Sequence, residues 1–594
     1  MDDNDKTPIR DRIELKKRSK TLKKSARKHA KRVEGATIRH AQRFLINRWD
    51  KIREVRMHII LWLGGVGVLI GLVGLQMVWF QTSYVAQAPV SGGTYAEAIK
   101  GTIDTLNPLF ATKPAELAAS HLLFSSLYAN DTTGHLRGDI ASSMTNEEDK
   151  VYTVKLRKDA KWHDGDKLDA NDIIFTVGLM KAQTVRSVMM ASWQGVAVSK
   201  LDDYTVRFTL PASYAAFPQA LTFAILPQHI LKTADQTSLR ENSFSNTPVG
   251  SGPFTLRLLQ NVSAAQKRKV VHMDANRQYY LGSPRLEHMQ IHTYADDESM
   301  ARALRTGEVS AASNVSSDTA ESIDSKNYSI VVRPVNSGVY SMFNLSQPIL
   351  KEVSVRKALQ LGTDTAAIRK QLYGNPQPLD LPIVYSQVPG LSSITAPKPD
   401  KAAAKQMLES NGWVLKDGKR TKNGQPLRLR MVTRKNTDYE IALRSLAGQW
   451  RELGVEIDAQ VVEGNIFTQD VLHNRTYDVL LDELVIGGDP DVFAYWHSKG
   501  LLNFTSYGNQ NSDDALSSAR TTSNSALRSV KYAAFAKQWV GDVPAIGLYQ
   551  SNFIYIHTAT TRAIGSDEAV ISPDDHYSGV RYWTADLGTV YKTP

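Results

Sequence analysis

Residues 59 to 80, "IILWLGGVGVLIGLVGLQMVWF", carry no charge, and Gln76 is their one strongly polar side chain. At about 1.5 Å per helical residue this run reaches roughly 33 Å, the hydrocarbon thickness of a bilayer. It therefore reads as a single membrane span, with Trp62, Trp79 and Phe80 suited to interfacial positions. Everything else must fold on one side of it or the other.

Charge is distributed to match. Residues 1 to 57 hold 19 of the 71 Lys and Arg and 8 of the 60 Asp and Glu, which leaves 52 of each for the rest. The net +11 belongs to the tail, and the positive-inside rule places that tail in the cytoplasm and the large remainder outside. Within the tail Ile38, Ala41, Leu45, Ile52 and Val55 recur at helical spacing. This pattern fits an amphipathic helix on anionic lipid, or a solvated stretch that only fixes topology. No aromatic-interleaved module accompanies the charge, so nucleic acid is not the expected partner. A cleaved signal at Ala86-Gln87-Ala88 is the competing reading of the span, and Gly67 and Gly71 give a weak helix-pairing motif.

The chain has no cysteine. Disulfides, thiolate metal sites, cysteine nucleophiles and a lipid-modified cysteine anchor are excluded together.

After about residue 91, strand and helix periods alternate, which suggests an α/β protein. "VYTVKLR" sets Tyr152, Val154 and Leu156 on one face, and "YTVRFTL" sets Val206, Phe208 and Leu210 likewise after an Asp202-Asp203 turn. "DKAAAKQMLESNGW" predicts a helix stopped at Gly412. "YEIALRSLAGQWRELGVEIDAQVV" predicts a helix with Ile441, Leu446, Trp450 and Leu453 inward, a stop at Gly454 and a strand from Val455. Some 500 residues exceed one core, so at least two lobes are expected.

The stretch "KWHDGDKLDANDIIF" is the densest cluster of potential ligands. It fails as a calcium loop, because Leu168 and Asp169 stand where an oxygen ligand and a glycine are needed. Turn and cap chemistry accounts for its polar residues instead. Asp164-Gly165 makes a turn, and Asp169 caps a helix with Asp172 in its first turn and Ile173, Ile174 and Phe175 entering the core. No HExxH, GxSxG or phosphate loop is present, and "VGSGPF" lacks the spacing of a nucleophile elbow and reads as a tight turn before a strand. His58, His163 and His497 show no clustered metal spacing. Neither an enzyme, a metal site nor a cofactor is expected.

In order, "SGGTYAEAIKGTIDTLNPLF", "YTVKLRKDAKWHDGDKLDANDIIFTV", "NTPVGSGPF", "YSMFNLSQPILKEVSVRKAL" and "DPDVFAYWHS" resemble the family-5 extracytoplasmic solute-binding proteins of peptide and nickel ABC importers. The likeness runs through "NFTSYGNQNSDDALSSAR" to "DVPAIGLYQ". It implies a two-lobe, periplasmic-binding-protein-like α/β fold, preceded here by one transmembrane helix. The divisions expected are a basic tail 1–57, an anchor 58–80 and a linker 81–90. Lobe I would comprise 91–335 and 540–594, with an extra subdomain about 119–195, and lobe II 336–539. Strands near Met342 and Asp542 would cross between lobes.

The resemblance further implies that a peptide-like solute is held in the inter-lobe cleft and passed to an ABC permease and its ATPases. A membrane-tethered sensor on the same fold, and a hydrolase on a borrowed one, are the other readings. In dipeptide- and oligopeptide-binding relatives an acid four positions before the Pro of "DP" meets the ligand's α-amino group. That position is Ile486 here, and the relatives' tryptophan three places earlier corresponds to Glu483. Asp482, Glu483, Asp489 and Asp491 are the possible substitutes. Thr102, Ile103, Asp104, Thr105, Trp193, Tyr340, Asn344, Trp496 and Tyr507 are the other expected ligand contacts, although each aromatic also fits a core position.

Overall fold

The apolar run is helical throughout. In the computed structural model, which describes residues 49–565 and 567–591, helix α1 spans Trp49–Tyr84 and an extended segment follows at Val85–Val90. Its stretch Arg56–Phe80 is, among the described residues, the one helix long and apolar enough to cross a membrane. Tail positions Ile38, Ala41 and Leu45 lie outside the described residues, while Ile52 and Val55 belong to α1.

Residues 89–588 form a separate mixed α/β unit. The strands of its two larger sheets, in chain order, begin with β1 (Thr94–Lys100), β2 (Ala141–Glu147), β3 (Val151–Leu156), β4 (Ala197–Asp202) and β5 (Thr205–Thr209). There follow β6 (Phe254–Ser263), β7 (Arg268–Ala275), β8 (His288–Tyr294), β9 (Ala311–Ser313) and β10 (Tyr328–Phe343). Last come β11 (Arg428–Arg434), β12 (Glu456–Val462), β13 (Val479–Val485) and β14 (Ala545–Thr558). Ten of them make one sheet in the order β12-β11-β13-β10-β14-β9-β1-β8-β7-β6. A separate antiparallel sheet has the order β2-β3-β5-β4, and its last two strands lie beyond residue 195.

The long antiparallel pair β10 and β14 runs through the middle of the large sheet. Both strands are apolar enough to be covered on both faces, and β14 is buried along nearly its whole length. Their register breaks between Pro334–Asn552 and Gly338–Gln550, so that Val335, Asn336 and Ser337 face Ser551 alone, and shifts by one further residue between Val339–Tyr549 and Tyr340–Gly547. Pro334, which has no N–H to give, sits at the edge of the break. The apolar packing changes partners at the same place. Val335, Phe553 and Tyr555 join a core with Tyr95, Trp162, Phe208 and Trp583, whereas Val339, Phe343, Leu548 and Tyr549 join one with Leu446 and Trp450. A neighbouring cluster packs Tyr340, Trp496 and Trp539 edge to face, with ring centroids 5.4–6.4 Å apart. We call the side packed on the first cluster the first half and the other side the second half.

Local patterns match their sequence signals. Tyr152, Val154, Leu156, Val206, Phe208 and Leu210 are all buried. The helix Lys401–Ser410 ends before Gly412 at φ 84°, and Thr437–Arg451 ends before Gly454 at φ 90°. Ile441 is half-buried against its core rather than fully inside.

In the aspartate-rich stretch Gly165 takes φ 97°, and Asp169 accepts from the Asn171 amide at 2.7 Å to cap the helix Ala170–Lys181. Asp172 accepts from the amides of Asp169 and Gln228 at 3.0 and 2.9 Å, so it joins two segments. Ile173 is buried, while Ile174 and Phe175 are half-buried.

Gly250-Ser251-Gly252 is a close backbone approach rather than the tight turn expected. A Cβ at Gly250 would lie 1.8 Å from the Leu123 carbonyl oxygen. His163 clamps this segment: the Gly250 amide donates to Nδ1 at 3.2 Å, so Nε2 carries the proton and donates to the Gly252 carbonyl at 3.1 Å. A neutral ring satisfies both bonds, and burial lowers its pKa to about 4. The unfolded side chain titrates near 6.5, so between these values the unfolded chain takes up a proton that the folded chain refuses. Stability present above pH 6.5 is therefore lost as the pH falls toward 4, by roughly 3 kcal/mol from this residue. Denaturation of wild type and His163→Gln should show the wild type losing more stability across that window. A constant difference between them from pH 7.5 to 4 would contradict the clamp.

Candidate ligand-binding site

A cavity of about 1490 Å³ lies between the two halves. Drug-sized ligands usually occupy about 300–1,000 Å³, so this space suits something larger or a ligand accompanied by water. The first half contributes segments around 120–139, 189–224 and 571–582, and the second half contributes 486–493 and 517–521.

The β10 bulge ties both walls together. The Asn336 amide donates to the Ile571 carbonyl at 2.9 Å, and its carbonyl accepts from the Ile486 and Gly487 amides, each at 2.9 Å. Its side-chain amide also donates to the Gly487 carbonyl at 3.0 Å. Gln550 donates to the Val335 carbonyl at 2.9 Å, so the irregular backbone is satisfied from several sides.

At one edge the halves touch directly. The Ala215 amide donates to the Arg520 carbonyl at 2.9 Å. The Arg520 guanidinium pairs with Asp491 at 3.0 Å and lies 4.8 and 4.4 Å from the ring centres of Tyr214 and Phe493. Burial, and then the Asp491 charge, raises the pKa of the Tyr214 phenol, which therefore stays neutral.

Below the cavity floor lies a buried polar cluster. Glu97 accepts from Tyr555 at 3.0 Å, Tyr577 at 2.8 Å and His576 Nε2 at 3.1 Å. His576 Nδ1 meets the Pro573 carbonyl, so both ring nitrogens face acceptors and the ring is an imidazolium. Burial opposes that charge, but Glu97 and the Pro573 carbonyl outweigh it and hold the His576 pKa above its ordinary value.

A large cavity walled by both halves, which touch directly at one edge, is a geometry that can enclose a solute. A family model for "Bacterial extracellular solute-binding proteins, family 5 Middle" matches residues 135–503. The chain belongs to this family. Among its relatives is the oligopeptide-binding protein AppA of Bacillus subtilis, 26% identical over 486 residues, covering 79% of this chain and 88% of the relative. The structure of AppA from Bacillus subtilis with a nonapeptide has a TM-score of 0.69 at 25% identity, covering 84% of this chain and 99% of that one. CtaP of Listeria monocytogenes, an ABC transporter substrate-binding protein, shares the fold at TM-score 0.74 and 22% identity, with 83% and 99% covered. Relatives of this family-5 chain are thus substrate-binding proteins of transporters, not enzymes.

Of the residues singled out from sequence, Trp193, Ile486, Asp489 and Asp491 line the cavity. Trp193 packs edge to face on Phe223, and Ile486 is almost wholly buried in the wall. Asp489 forms a two-point pair with Arg528, both contacts 2.6 Å, and Asp491 is held by Arg520. Glu483 is turned into the second half, accepting from Ser337 and, at 2.8 Å, from Tyr439. Its neighbour Asp482 accepts from Arg434 at 2.9 Å.

The remaining residues are not among the cavity lining. Tyr340 is buried with its hydroxyl on the Leu381 carbonyl at 2.9 Å, and Trp496 packs beside it. Asn344 donates to the Tyr477 carbonyl at 3.0 Å, and Tyr507 donates to Asp542 at 2.7 Å. In the first half, Lys113 bonds Thr102 and Asp104, each at 2.6 Å, Thr105 accepts from the Asn107 amide, and Ile103 is buried. Sequence reasoning missed Tyr214, Gln219, Arg520 and the segment Pro573–Tyr582. The mixed polar and aromatic run "DDHYSGVRYW" was the available signal.

If the Arg520 contact closes the mouth, Arg520→Ala should release the loop that leans on it. Hydrogen exchange across residues 211–219 is expected to accelerate about tenfold or more, the equivalent of roughly 1.4 kcal/mol. Unchanged exchange would show that the halves are held elsewhere.

Proposed function

We propose that this chain is the membrane-anchored substrate-binding subunit of an ABC importer, which captures peptides or peptide-like solutes between two lobes and delivers them to a permease. The observation that carries the reading is the cavity of about 1490 Å³ walled by both halves of the sheet, in a member of family 5. Support for a peptide as ligand comes from AppA, an oligopeptide-binding protein solved with a nonapeptide. Lobe I is taken as about 91–335 with the C-terminal segment, and lobe II as the part between. We take their boundaries at the register break, with the second passage near Ser551.

Trp193 and Ile486 are taken as apolar contacts for the ligand. Asp489 and Asp491 act through the arginines they orient, because each already has its counter-charge. The span Arg56–Phe80 supports retention at a membrane, and the basic tail supports an orientation with the binding unit outside. Holding the binding unit near its permease raises the effective concentration there.

Mass spectrometry of the full chain purified from membranes tests these statements together. Denaturation should release intact peptides that survive long incubation with the protein, and the chain's own mass should include the span. Release of sugars or metal complexes without peptides would overturn the ligand assignment, and a chain shortened to near residue 89 would overturn anchoring.

A further inference from the structure

The carboxylates that line the cavity are, with one exception, already satisfied. Asp131 pairs with Arg137 at 2.8 Å, Asp489 with Arg528 and Asp491 with Arg520. Asp139 accepts from the Tyr280 hydroxyl and from the Ser126 amide at 2.9 Å. Asp575 accepts from the Ser572 amide and hydroxyl at 2.8 and 2.7 Å and from Asn130 at 3.1 Å. Asp574, also on the lining, makes no hydrogen bond or ion pair among the described residues.

Its surroundings make that exception costly. The imidazolium of His576, the nearest cation in sequence, is committed on both nitrogens to Glu97 and the Pro573 carbonyl. Burial, with added repulsion from Asp575 and Glu97 against the attraction of His576, pushes the Asp574 pKa up to about 7. A half-buried carboxylate facing a cavity with no partner of its own is a site waiting for a donor cation. No group of three potential metal ligands occurs among the described residues, so a coordinated metal ion does not fit the setting. A primary ammonium group does fit it, since it brings one charge and three N–H donors.

We propose that Asp574 anchors the bound solute by its ammonium group, which places the ligand's cationic end on the first-half floor of the cavity. This rests on the peptide reading, in which the ammonium is either a free α-amino terminus or a lysine side chain. The apolar Ile486 on the opposite wall then faces another part of the ligand. Among the described residues Asp574 is then the one lining carboxylate with neither an ion pair nor a hydrogen bond of its own, and the ligand supplies both.

Three random peptide libraries, applied to the full chain freed of bound solute, separate the possibilities. One has free amino termini and no lysine, the second is N-acetylated without lysine, and the third is N-acetylated with lysine. Retention is read by mass spectrometry for wild type and Asp574→Asn. The wild type should retain the first library, the third or both, and not the second. Asp574→Asn should weaken the retained class about 10- to 100-fold, the range for a hydrogen bond to a charged group. The variant breaks no bond in the protein, so its melting temperature should match or exceed that of the wild type. Equal retention of all three libraries, or undiminished binding by Asp574→Asn, would overturn the anchor and leave the peptide reading intact. Retention of none would overturn the peptide reading and the anchor with it.

Discussion

The bulge Val335–Ser337 sets the arrangement of everything around the cavity. Two long strands paired without interruption would make one stiff ribbon through the molecule. Three residues opposite one force a local change of twist, and the apolar cores divide at that point. The polar groups displaced from the ladder do not go to water. Asn336 gives them to Ile571 on one wall and to Ile486 and Gly487 on the other. This bulge therefore marks where the halves meet, and holds the cavity walls in register with the bend.

Electrostatics follows from the same layout. Bringing two polar walls together buries arginines and aspartates, which is tolerable only when they are paired at close range. Asp489 with Arg528 and Asp491 with Arg520 meet that demand within the second half. Beneath the floor of the first half, Glu97 and His576 are joined across nearly 480 residues of sequence. The pairing leaves little uncompensated charge to discriminate among solutes, and a cavity of this size recognises through few strong contacts and many replaceable ones.

Sequence patterning was most informative where structure is local. Alternation in β3 and β5, the cap at Asp169, and the stops at Gly412 and Gly454 are all decided within a few residues. The order of motifs carried the family. Site residues were less legible, because an aromatic near a conspicuous motif looks the same whether it faces ligand or core. Tyr340 and Trp496 pack on Trp539, and no local signal distinguishes that from a binding platform. The floor segment Pro573–Tyr582 was missed for a different reason: it is a 3-10 helix without a sustained apolar period, and its partners Glu97, Asn130 and Leu281 are hundreds of residues away. His163 gave a signal that was read only halfway. Its neighbours have turn and cap duties, and its ring clamps a segment nearly ninety residues later.

Closure of two halves about the bulge is the claim on which capture depends. The chain has no cysteine, so spin labels can be placed singly at exposed Ser143 in the first half and exposed Ala526 in the second. Electron–electron distance measurements should give a broad or longer distribution for protein freed of its solute. Returning the released solute should give one short, narrow distribution. An identical distribution in both states would show a rigid body and contradict hinge closure.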